Sequence, residues 1–250
     1  MRTTTSSPAT RIAAPVVDET RAMKVAVYAL TSHAGPRAAG RGLSGERLRV
    51  VRVGAVSAVV GDVARLPAPT EAKLRAYTTL LAALATTHQS VLPVRFGTTM
   101  QDDEELETIL RLRQKPLKSQ LARVRGRVQM TVRVLVAQAR RSLGEGGSGS
   151  RGGPDKVRPT GTGSGTQYLS SRAREHSASS IPGFAPVDRA VARWVRDSRV
   201  ERRGTVATVY HLVPRAAAGR YAAAIEAAAA AEDVRVLVSG PWPAYAFGDW

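Results

Sequence analysis

Apolar positions recur along this chain at two periods, and the switches between them mark its elements. Lys24–Leu30 sets Val25, Val27 and Ala29 on one face, the period of two that belongs to a strand. Leu48–Val60 is β-branched nearly throughout and broken only by Gly54, which predicts two strands or one bulged strand. After Pro67 and Pro69 the period lengthens: Leu74, Tyr77, Leu81, Leu84 and His88 line one face of a helix that begins at Glu71, with Thr70 as its cap. Val91–Gly97 is a further short strand, and its Pro93 restricts it to an edge or to one-sided pairing.

Asp102, Asp103, Glu104, Glu105 and Glu107 open a second helix, where the helix dipole favours acids, and Pro116 kinks or splits it. In Gly126–Val136 the residues Val128, Met130, Val132, Val134 and Val136 oppose Arg127, Gln129, Thr131 and Arg133, a half-buried strand. Ser142–Thr166 reads as a Gly/Ser/Pro linker with too little apolar surface to offset its ordering entropy. Helices are predicted over Tyr168–Ser179 and Val187–Arg199, the second with Val187, Val191, Trp194 and Val195 on one face. A strand over Gly204–Val213, an alanine-rich helix over 216–231 and a strand over Val234–Val238 complete the series.

This order fits two small α+β domains better than one doubly wound sheet. The expected division is a disordered arm at 1–22, a ferredoxin-like N-terminal layer at 23–100 and a C-terminal α+β domain with an antiparallel sheet and helices at 101–250. The 142–166 linker is an insert within the second domain.

Composition narrows the chemistry. The 250 residues contain no cysteine, which excludes disulfides, thiolate zinc sites, iron–sulfur clusters and cysteine nucleophiles. Residues 1–10 lack the apolar centre of a secretory signal, and no run approaches the ~20 apolar residues that span a bilayer. A soluble, cytoplasmic protein is expected. Gly147-Ser-Gly-Ser-Arg-Gly152 matches a dinucleotide fingerprint in form, yet it lies in a Gly/Ser run with no helix behind it. His33, His88, His176 and His211 are scattered and make no metal-type pair, so no cofactor, metal, small-molecule substrate or catalytic set is expected.

With 37 Lys+Arg against 20 Asp+Glu the net charge is +17, and ten of those cations fall between Arg111 and Arg141 without one acid. A phosphate-binding stretch over 111–141, centred on Arg123, Arg125, Arg127 and Arg133, is one reading. Residues 101–141 hold no aromatic on which bases could stack, so a solvated basic face carries more weight and a nucleic-acid partner ranks second.

Four segments point elsewhere. Val91-Leu-Pro-Val-Arg-Phe-Gly-Thr98, Gly126-Arg-Val-Gln-Met130, Gly165-Thr-Gln-Tyr-Leu-Ser-Ser-Arg172 and Ser239-Gly-Pro-Trp-Pro-Ala-Tyr-Ala-Phe247 resemble, in order and spacing, the signatures of the gas vesicle protein L/F family. The Val27-Tyr28 strand and residues 54–60 fit as well, so the resemblance covers about 24–250. Gln129 stands where the family usually has Glu, and Ala244 where it has a second Pro. The resemblance implies a non-enzymatic role in building gas vesicles: an assembly factor or minor structural component that contacts the apolar main shell protein and other accessory proteins.

Candidate contact residues follow from composition. Trp242, Tyr245, Phe247 and Trp250 are four of the twelve aromatics of the chain within its last nine residues, and Pro241 and Pro243 stiffen the backbone between them. Such a segment suits an interface anchor or a tail folded back over a core. The fold-back reading carries slightly more weight for Trp242, and the interface reading more for Trp250. In the family-like strand Phe96 is expected in the core, and Arg95 is expected to pair with an acid within or between domains.

Overall fold

The computed structural model describes residues 23–32, 40–135 and 178–249, which form two antiparallel sheets with helices. No described helix is long and apolar enough to cross a membrane. In the first sheet β1 (Lys24–Ser32) lies between β3 (Val56–Val63) and β4 (Val91–Pro93), and β2 (Leu48–Val53) flanks β3. The two-residue β5 (Thr99–Met100) also pairs with β1. Gly54, at φ +55°, turns β2 into β3, so the β-branched run is a hairpin of two strands. Pro93 sits on the edge strand, where its missing N–H breaks no ladder.

The β1 register shifts between Val27 and Ala29. This bulge corrects the simple alternation: Val25, Val27 and Leu30 enter one core, whereas Ala26, Tyr28 and Ala29 enter the other. Both faces of the sheet are covered. On one lies α1 (Glu71–Thr87), capped by Thr70, whose Oγ1 accepts from the Lys73 N–H at 3.4 Å. Its Tyr77, Leu81 and Leu84 are buried, while Leu74, expected on the same stripe, stays 43% exposed.

On the opposite face lie α2 (Asp103–Leu112) and α3 (Gln114–Val124), which bring Leu106, Leu110, Leu117, Leu121 and Val124 onto Val25, Val27, Val56 and Val60. Asp102 caps α2 by accepting from the Glu105 N–H at 2.9 Å. The helix breaks at Arg113, which places Pro116 third in α3, where its missing N–H loses no helical bond. These helices were read from sequence as the start of the second unit; their apolar faces belong to the first sheet.

The second sheet contains β6 (Arg127–Leu135), β7 (Asp197–Arg203), β8 (Val206–Pro214) and β9 (Val236–Trp242) in the order β7-β8-β6-β9. On one face α4 (Ala185–Val191) and α5 (Ala218–Ala231) pack over Val128, Met130, Val132, Val134, Ala207, Val209 and Val213. The sequence β6-α4-β7-β8-α5-β9 has the strand order of a ferredoxin-like layer. The first sheet repeats that strand order, with no helix between β1 and β2 among its described residues.

The helix expected over Val187–Arg199 ends at Val191, and residues from Asp197 form β7 instead. Pairing of Asp197–Arg203 with Leu212–Val206 outweighs the local helical pattern. The helix expected over Tyr168–Ser179 and the linker at 142–166 fall outside the described residues, except for a 3-10 turn at Ala178–Ser180.

Candidate functional site

Among the described residues, helices pack on one face of the second sheet only. Strand pairing arranges the other face in four rows. Arg203, Val206 and Leu135 form the first; Glu201, Thr208, Arg133 and Leu237 the second; Arg199, Tyr210, Thr131 and Ser239 the third; Asp197, Leu212, Gln129 and Trp242 the fourth. The fourth row is sealed. Leu212 is fully buried in one continuous core with Ala244, Phe247, Leu92, Leu117 and Leu121, which joins the two sheets. Gln129, 4% exposed, accepts from the Ala246 N–H at 2.8 Å and donates to Thr131 Oγ1 at 3.2 Å. Both ends of the amide are used, which accounts for an uncharged residue at this buried position.

The first two rows are open. Between them and the start of α1 lies a groove of about 730 Å³, lined by Leu74, Tyr77 and Thr78 of α1 and by Trp242 and Tyr245. Leu135 and Leu237, on the same sheet face, are 57% and 60% exposed. The polar groups are unevenly matched. Glu201 accepts from the Tyr210 hydroxyl at 3.1 Å, and Tyr210 is held above its ordinary pKa, first by burial and then by that carboxylate. Arg133 and Arg203 stand beside them and form no ion pair among the described residues. The groove thus combines apolar walls with two guanidinium groups and one carboxylate, an excess of positive charge.

The residues expected to contact a partner separate on this frame. Trp242 is half-buried in the groove, its indole N–H donating to Ser239 Oγ at 3.4 Å, and Tyr245 is 39% exposed there. Phe247 is fully buried with the Arg199 guanidinium 5.6 Å over its ring, so it belongs to the core and not to a docking face. Trp250 lies outside the described residues. Phe96, expected in the core, is half-buried at its edge and packs edge-on to Tyr77, and Arg95 is exposed with no acid partner among the described residues.

The basic residues do not converge. Arg123 pairs with Asp197 at 3.3 Å and Arg125 donates to Gln89 Oε1 at 3.0 Å. Arg127 donates to the Arg123 carbonyl, and Arg133 is the one of the four that lines the groove. Leu74, Leu135, Arg203 and Leu237 were missed in the sequence. The available signal was an apolar residue on the wrong parity of β6 and β9.

A buried polar cluster lies behind the sheet. His211 is fully buried, with Nδ1 2.7 Å from the Tyr221 hydroxyl on α5 and Nε2 3.4 Å from Asp188 Oδ1 on α4. Burial lowers the His211 pKa to about 4 and raises those of Asp188 and Tyr221. With no exposure of either ring, the His211–Tyr221 contact ties α5 to the sheet, while Nε2 makes no hydrogen bond.

Fold and groove together define a two-sheet α+β protein with one sheet face left open. Residues 25–249 match the family described as gas vesicle synthesis protein GvpL/GvpF, and the chain belongs to that family. Among solved structures it is similar to gas vesicle protein GvpF from Microcystis aeruginosa, at 11% identity and a TM-score of 0.65 over 91% of this chain and 99% of that one. It is equally similar to GvpF from Anabaena sp. PCC7120, at 12% identity and a TM-score of 0.66 over the same shares. These likenesses establish the fold. No curated protein matches the chain.

Proposed function

We propose that this protein acts in the cytoplasm, at the forming gas vesicle, as an assembly factor or minor structural component that binds the apolar main shell protein and helps to nucleate or assemble the shell. The family match over residues 25–249 carries the reading. The groove supports it physically: a shell subunit with an apolar face and open strand edges aggregates unless a partner covers it. Trp242, Tyr245, Leu74 and Leu237 offer apolar area for such a contact.

Co-expression of the tagged protein with the shell protein, followed by affinity capture, tests this directly. Retention of the shell protein is expected, and its loss in Trp242→Ala/Tyr245→Ala would place the contact in the groove. Absence of the shell protein from the wild-type eluate would overturn the reading. Arg123, Arg125 and Arg127 are engaged by neighbouring groups, which weighs against a phosphate-binding face built on these three.

A further inference from the structure

We propose that the open half of the second sheet is a docking surface for an amphipathic helix of a partner protein, apolar along its centre and acidic along its rim. The inference deepens the reading above, since it names the kind of element that the groove takes.

The molecule itself supplies the precedent. Both sheets have the strand order 2-3-1-4 within their halves, and in each a helix crosses from the third strand to the fourth, α1 in one and α5 in the other. Right-handed crossovers place those helices on corresponding faces. The remaining face of the first sheet is covered by the amphipathic pair α2 and α3. The corresponding face of the second sheet is the groove face, and among the described residues only its fourth row is sealed. Val206, Leu135, Leu237 and Thr208 therefore stand where, one sheet over, a helix supplies leucines. A helix laid on a sheet buries such residues without needing an exposed strand edge.

Charge decides the rim. Arg203 flanks Val206, and Arg133 lies between Thr208 and Leu237, so two arginines face one carboxylate, Glu201, and the surface keeps an excess of positive charge. Two exposed guanidinium groups on this face favour carboxylates that can meet them through paired N–H donors. A helix with glutamates beside its apolar stripe satisfies both requirements; a basic or purely apolar helix satisfies one at most.

Fluorescence anisotropy with the full chain tests the proposal. The probe is a stapled synthetic helix of about 15 residues, with leucines on one face and glutamates flanking them; the control replaces every glutamate by lysine. Wild type is expected to bind the acidic helix at least tenfold more tightly than the lysine version. Arg133→Glu with Arg203→Glu, both exposed positions, should reverse the preference with unchanged circular dichroism. Equal binding of the two helices, binding of neither, or indifference to the double variant would overturn the inference. So would appearance of binding only after deletion of 142–166, or self-association abolished by the same variant, since these make the chain or its copy the occupant. Capture of the shell protein is scored separately: an acidic-helix binder that does not retain it keeps the groove and loses the gas-vesicle role, and the converse result loses the helix alone.

Discussion

His211 sits at 0% exposure with an imidazole that burial lowers from 6.5 to about 4. Between those values the unfolded chain holds a proton that the folded one refuses, so stability falls as pH drops through the window from about 6.5 to about 4. His88, the buried C-cap of α1, shifts in the same direction for the same reason. Asp188, whose pKa burial raises above 3.8, opposes the trend at the acid end because its folded form retains the proton. Urea unfolding across this range should show a falling midpoint, and His211→Gln should flatten the slope while His88 keeps part of it. An unaltered slope in the variant would rule out His211 as a source.

The elements depend on local chemistry that the sequence displays. Thr70 and Asp102 cap α1 and α2 through their side-chain oxygens, as their positions ahead of apolar stripes indicate. Gly54 is the critical turn. At φ +55° an L side chain is strained, and a Cβ there would meet Gln114 Nε2 at 1.9 Å, displacing the amide that donates to the Val53 carbonyl. Gly54→Ala should therefore destabilise by about 1–2 kcal/mol, from the left-handed conformation alone, as measured by chemical denaturation. An unchanged midpoint would show that the turn relaxes freely. The misread element is β7. Val187, Val191, Trp194 and Val195 do keep helical spacing, but from Asp197 onward the hydrogen bonds go to β8, a partner that the periodicity of one segment does not reveal.

At the scale of the molecule, a shared core joins the halves, and Phe247 is its largest fully buried side chain. Phe247 reaches from the C-terminal segment into the core shared by Leu92, Leu117, Leu121 and Leu212, and it is fully buried. Phe247→Ala should cost about 3–5 kcal/mol and separate the unfolding of the two sheets, seen as a broadened or two-step denaturant transition. Tyr245→Ala, 39% exposed on the groove side, should leave that transition nearly intact. If both variants unfold alike, the C-terminal segment does not fasten the halves. The aromatic cluster that looks uniform in sequence thus has an inner member and two groove members among its described residues.

Sequence by itself determined the two-unit α+β plan, the Thr70 cap, a break at Gly54, an edge or one-sided place for the Pro93 strand and, through four short segments, the family. These follow from period, capping chemistry and backbone restriction, all local properties. Tertiary structure decided what locality does not carry. A bulge in β1 moved Ala29 to the other core, and α2 and α3 joined the first sheet because its second face needed covering. Arg133, Arg203, Leu135 and Leu237, apart in sequence, became one open surface through the register of four strands. Register is set by pairing between distant segments, so the groove becomes visible only once the sheet is assembled.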